Sequence, residues 1–201
     1  MMSFLSCFPE NHHLSDVFKN FPIAVRPLLE LHDELLRGPA ALTVGERELV
    51  AAITSGTNAC SFCFGSHALA AERFGVPEDL IRAVLENVDS ADVEVKLKPL
   101  LKYVIKLTRE PAKIIKEDAD AVLSAGWSEE ALHCAVYVCG LFNLMNRIVE
   151  GMGVKANMDL MTERGDQIRE TSIEERAKIG NQYQGDPDYM NFGRMSGVVK
   201  D

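Results

Sequence analysis

The 201-residue chain is acidic, with 30 Asp and Glu against 21 Lys and Arg for a net charge of −9, and 47% of its residues are hydrophobic. That composition fits one globular domain with an appendage, and the charge argues against nucleic acid or an anionic membrane as a partner. Five cysteines with one close pair exclude a disulfide framework, and the absence of a basic region leading into an apolar core in Met1–His13 makes a cytoplasmic setting the expectation.

Residues 1–20 read as an irregular N-terminal arm, with His12 and His13 as surface residues pointing to different faces. Phe21–Arg37 follows as a helix with Val25, Leu28, Leu29, Leu31, Leu35 and Leu36 on its apolar face, stopped by Gly38-Pro39. Thr43 and Glu46 have the spacing of a capping box, so a second helix begins near Val44. It ends in Ser55-Gly56-Thr57-Asn58, where Thr57 or Asn58 can cap the next helix. That third helix runs from Cys60 to Phe74, with Gly75 suited to its C-terminus.

The Cys60–Phe74 helix carries the chemistry. At 100° per residue Cys60, Cys63 and His67 fall within about 60° of one another. If the two helices fold back antiparallel about residue 57, position 48 lies opposite position 66, so Glu48 stands level with His67. A thiolate is the nucleophile of thiol chemistry, and a helix N-terminus and a nearby imidazole both lower a thiol's pKa. An oxidised thiol can condense with a second thiol three residues away, and a carboxylate can orient the imidazole. Two other readings of the C-x-x-C stay open. It could be half of a zinc site, for which His133 on a distant helix would have to contribute, or two small core residues.

Downstream, Pro77 opens a helix to about Asn87. Glu94–Thr108 is next, with Pro99 confined to its first turn. Lys116–Ala125 is a short helix, and Ser128 caps the long apolar Glu129–Gly151, expected to be the central buried helix. On it, Asn143, Asn146 and Arg147 read as pocket residues or as satisfied buried polar groups, and His133 as a hydrogen-bonded core histidine. Cys134 and Cys139 read as buried thiols and Cys7 as a free terminal one. The apolar stretch Ala131–Met145 is too short for a membrane span. Residues 156–201 form a C-terminal extension whose Tyr183, Tyr189, Met190, Phe192 and Met195 favour docking on the domain or on a neighbouring subunit. With no β alternation and no Gly-rich phosphate loop, the fold class is all-α, and no cofactor or metal is expected.

The pattern E-x(11)-C-x-x-C-x-x-x-H, carried by Glu48, Cys60, Cys63 and His67, resembles the alkylhydroperoxidase D-like group of the carboxymuconolactone decarboxylase superfamily, and its peroxidase-related branch above all. The segment FNLMNR in Glu129–Gly151 is similar to that branch as well. Phe62 stands where alkylhydroperoxidase D itself has a further histidine, as in many peroxidase-related members. The resemblance spans roughly residues 20–155 and implies a helical bundle (21–155) assembled as a homo-oligomer, a trimer or a hexamer. It implies reduction of a hydroperoxide or disulfide by a Cys60–Cys63 dithiol cycle, with Cys63 attacking, His67 and Glu48 as proton relay, and a thiol reductant. A carboxymuconolactone-decarboxylase-like lyase is the first alternative. It needs no C-x-x-C but does need an anion site, which an acidic chain does not advertise. A non-enzymatic thiol redox sensor is the second.

Overall fold

The computed structural model describes residues 3–182 and 188–199. Among them the chain forms α1 (Leu14–Asn20), α2 (Val25–Arg37), α3 (Val44–Thr57), α4 (Ser61–Arg73), α5 (Glu78–Glu86), α6 (Leu97–Arg109), α7 (Lys116–Ser124), α8 (Glu129–Gly151), α9 (Met158–Arg169), α10 (Ile173–Gln182) and α11 (Asp188–Met195), with no strand. The all-α expectation holds.

The centre of the molecule is α3, not α8. Every residue of α3 from Arg47 to Ser55 is buried, and α2, α4, α5, α6, α8 and α10 all pack on it. Ala51 and Ala52 let neighbouring backbones come close, while Leu49 and Ile53 fill the space between them. Each such fully buried branched side chain contributes roughly 1.5–3 kcal/mol. α8 buries one face (Cys134, Ala135, Val138, Cys139, Phe142) and leaves Tyr137 and Leu144 about half exposed. Its all-round apolarity overstates its burial. His133 stands on that outer face beside Tyr137, not in the core.

Local chemistry sets the helix ends. Thr43 Oγ1 accepts from the Glu46 backbone N–H at 3.2 Å and Glu46 returns the bond to Thr43 N–H at 2.8 Å, the expected capping box. Ser128 caps α8 through the Ala131 N–H. The α3–α4 turn differs from expectation: the N-cap of α4 is Cys60 itself, and Ala59 before it adopts φ 57°, a left-handed conformation uncommon for a residue with a Cβ. That tight turn brings Cys60 N–H onto the Ser55 carbonyl at 3.0 Å.

The described parts of the N-terminal arm and of the C-terminal extension both form helices. The arm contains α1, begun by Asp16 accepting from His13 N–H at 2.8 Å. His12 is buried, stacked on Phe8 at 4.6 Å, with Nε2 against the Met152 carbonyl. The C-terminal helices lie back on the domain. Arg169 of α9 grips buried Glu72 of α4 through two bonds of 3.1 Å, and Arg176 of α10 donates to the Glu72 carbonyl. The Asp33 carboxylate of α2 accepts from two N–H groups in the first turn of α11, at Tyr189 and Met190, each at 2.8 Å. Tyr183 lies outside the described residues.

Candidate active site

The turn places Cys60 at the N-cap of α4 and Cys63 one turn in, at the end where unpaired N–H groups and the helix dipole favour negative charge. Both thiols are free and buried, and each shifts the acidity of the other. Cys60's pKa is lowered by the Cys63 thiol and the Cys63 backbone N–H, against the opposing effect of burial. Cys63's is raised, by Cys60 and by burial.

His67 lies one further turn along the same face, buried, its ring edge-on to Phe142 at 4.2 Å. The register argument for Glu48 is fulfilled: its Oε2 is 2.6 Å from His67 Nδ1. Glu48 is fully buried, and burial alone would raise its pKa, but His67 and Arg37 together hold it below the usual carboxylate range. It therefore stays ionised at neutral pH and accepts the Nδ1 proton of His67, so Nε2 is the ring nitrogen it leaves unengaged.

Four residues near this pair carry no signal in the C-x-x-C pattern. Arg37, the last residue of α2, donates to Glu48 Oε1 at 2.5 Å and to Asp188 Oδ2 at 2.8 Å. Its guanidinium sits 5.2 Å from the Phe74 ring centre and 5.3 Å from that of Tyr189. The Glu48 carboxylate is thereby held between the Arg37 guanidinium and the His67 ring. His32, also on α2, packs between Phe142 and Tyr189. Burial lowers its pKa to about 4, so it is neutral. Its signal was readable: with Val25, Leu29 and Leu36 it occupies one helical stripe. Asp188 and Tyr189 come from the C-terminal extension, and nothing in their local sequence marks them.

The asparagines of α8 are structural. Asn146, buried, accepts from Asn58 at 2.9 Å and donates to Ser55 Oγ at 3.0 Å. Asn143 accepts a second bond from Asn58. Both brace the α3–α4 turn from behind. Cys63 and His67 face the other way, into a cavity of about 940 Å³ walled by α1, α2, α4, α8 and the C-terminal helices. Cys60 is not among its lining residues. Against the expectation for an acidic chain, the cavity lining includes Arg37, Arg73, Lys155, Arg164 and Arg176, with Asp188 the one carboxylate among the described residues.

Residues 23–94 match the carboxymuconolactone decarboxylase family, a segment that carries Glu48, Cys60, Cys63, His67, Arg37 and His32. No curated protein matches in sequence. Among solved structures, the chain is similar to an alkylhydroperoxidase AhpD core, a peroxidase-related protein from Ralstonia eutropha JMP134. The TM-score is 0.65 at 23% identity, over 71% of this chain and 75% of that one. A peroxidase-related protein from Silicibacter sp. TM1040 matches with TM-score 0.63 and 21% identity, over 79% and 93%. A cysteine-to-alanine variant of the debrominase Bmp8, in complex with 2,3,4-tribromopyrrole, matches with TM-score 0.57 and 19% identity, over 74% and 76%. The segment that bears these residues thus matches the carboxymuconolactone decarboxylase family, and the chain shares its all-helical fold with alkylhydroperoxidase AhpD-core and peroxidase-related structures.

Proposed function

We propose that the protein is a thiol-dependent oxidoreductase that reduces hydroperoxides or disulfides through Cys60 and Cys63. The observation that carries this reading is the pair of free thiols one helical turn apart, with Cys63 lining the same cavity as an imidazole that Glu48 holds at Nδ1. For a hydroperoxide, His67 takes the Cys63 proton and the thiolate attacks the terminal oxygen. The S–O bond forms, the O–O bond breaks, and the leaving alkoxide takes the proton back from His67 as alcohol. Cys60 then attacks the sulfenic sulfur. The disulfide forms, and the hydroxyl departs with the Cys60 proton as water. Two electrons have passed from two thiols to the peroxide, and an external thiol reductant restores the pair by exchange.

The order of attack rests on access: Cys63 lines the cavity and Cys60 does not. The setting is a reducing cytoplasm, and the assembled form is a homo-oligomer for which the exposed Tyr137 and Leu144 of α8 are candidate contacts. The test is a count of free thiols after one equivalent of cumene hydroperoxide, with and without added dithiol. Oxidation followed by turnover supports the enzyme. Stoichiometric oxidation without turnover supports a redox sensor instead, and no oxidation returns the site to the lyase reading.

A further inference from the structure

The cavity combines two features that an alkyl hydroperoxide alone does not require. Its walls are apolar, with Phe62 and Leu69 from α4, Phe142 from α8, Leu160 and Ile168 from α9 and Phe192 from α11. Its lining is also strongly cationic in a protein of net charge −9. Arg37 is occupied by Glu48 and Asp188. Arg73, Lys155, Arg164 and Arg176 make no ion pair among the described residues. Arg73, Lys155 and Arg164 are solvent-exposed, whereas Cys63 and His67 are buried, so these charges stand at the mouth and the reactive groups at the floor. Arg176 is half-buried, and its Nε is buried without a hydrogen-bond partner. Unpaired cations beside an apolar cavity attract and orient an anion, and more strongly where low-dielectric walls focus their field.

From this juxtaposition of an apolar cavity and an unpaired cationic mouth over Cys63, we infer that the site takes an amphipathic anion: a long-chain carboxylate whose apolar body enters the cavity while its head group stays among Arg73, Arg164 and Lys155. The inference builds on the proposed thiol chemistry, which makes the physiological substrate a hydroperoxide of such an acid. That substrate's O–O bond is cleaved at Cys63 and its product is the corresponding hydroxy acid and water, with the Cys60–Cys63 pair oxidised to the disulfide and restored by a thiol reductant. The volume, about 940 Å³, lies at the upper end of the roughly 300–1,000 Å³ of small-molecule sites.

The binding half of the inference can be tested without any redox step. Dodecanoate and dodecan-1-ol share a chain and differ in charge, and each is titrated into the reduced full-length protein by calorimetry. Dodecanoate is expected to bind about tenfold tighter at low ionic strength, with the preference shrinking as salt is added. In an Arg73→Gln/Arg164→Gln double variant, verified as folded by circular dichroism, the preference is expected to fall to near parity. Bound dodecanoate should also slow alkylation of Cys63 by iodoacetamide. Equal affinity for the two probes, binding of neither, or a preference that survives the double substitution overturns the inference. A kinetic arm separates the two readings by comparing kcat/KM for a long-chain acid hydroperoxide and for its methyl ester. Dodecanoate selectivity without turnover of either peroxide would sink the oxidoreductase reading and leave the anion site standing. Turnover of both peroxides at equal kcat/KM would overturn the substrate class and leave the chemistry standing.

Discussion

At the scale of single residues, the site is an ordered series of hydrogen bonds: Arg37 to Glu48, Glu48 to His67 Nδ1, and His67 facing the cavity that holds Cys63. Glu48→Gln tests the series because a glutamine must keep its carbonyl toward Arg37. Its amide then donates to His67 Nδ1 and forces the ring proton onto Nε2, so the free base is lost. Alkylation of Cys63 at neutral pH is expected to slow about tenfold, part of the usual range for general-base assistance. Glu46→Gln, which weakens only the α3 cap, should leave the rate near wild type. Comparable slowing in both variants would contradict the series. His32 gives a pH-dependent stability prediction. Its folded pKa of about 4, set by burial, lies below its ordinary 6.5. Between those values the unfolded chain binds a proton that the native chain does not. Stability from this group is therefore complete above about pH 6.5 and is lost as the pH falls toward 4, by up to about 3 kcal/mol. Urea unfolding at pH 7 and pH 5 should show a smaller drop in His32→Leu than in wild type, whatever the absolute stability of the variant.

At the scale of elements, the α3–α4 hairpin was the most legible part of the sequence because its signals are local. The capping box, the breaker run and the helical spacing of Cys60, Cys63 and His67 fix the two helices, and simple register arithmetic then sets Glu48 against His67. The errors lie where local pattern and tertiary context part. α8 is apolar all round yet buried on one face, and Cys60 caps its own helix where Thr57 or Asn58 offers the better capping chemistry. Two element-level outcomes follow. Gly75, at φ 91°, ends α4, and a Cβ there would lie 2.6 Å from Ala177 Cα of α10. Gly75→Ala must therefore strain the backbone and push α10 away, and is expected to cost more than about 1 kcal/mol in thermal or urea unfolding. Asp33→Ala removes the acceptor of two α11 N–H groups and is expected to cost about 1–2 kcal/mol. It should also lower kcat/KM by displacing Tyr189 and Asp188 from Arg37. Unchanged kinetics in a demonstrably folded Asp33→Ala protein would mean that α11 takes no part in shaping the site.

At the scale of the whole molecule, the C-terminal extension completes the cavity that the hairpin only floors. Asp188, Tyr189 and Phe192 of α11 and Arg164 of α9 stand far in sequence from the C-x-x-C and reach it only through packing. No local pattern could announce them, and the family match ends at residue 94, before any of them. The net charge was misleading for the same reason: a sum over 201 residues says nothing about which signs gather at one opening. The central claim is the dithiol cycle, and the most direct measurement of it is mass spectrometry of the cysteine-bearing peptides after one equivalent of organic hydroperoxide. The wild-type protein is expected to carry a disulfide between Cys60 and Cys63, with Cys7, Cys134 and Cys139 still alkylatable after denaturation. Cys60→Ser is expected to retain a trappable sulfenic acid on Cys63, and Cys63→Ser to leave Cys60 unoxidised. Five intact thiols in the treated wild-type protein, or oxidation confined to the exposed Cys7, would contradict it.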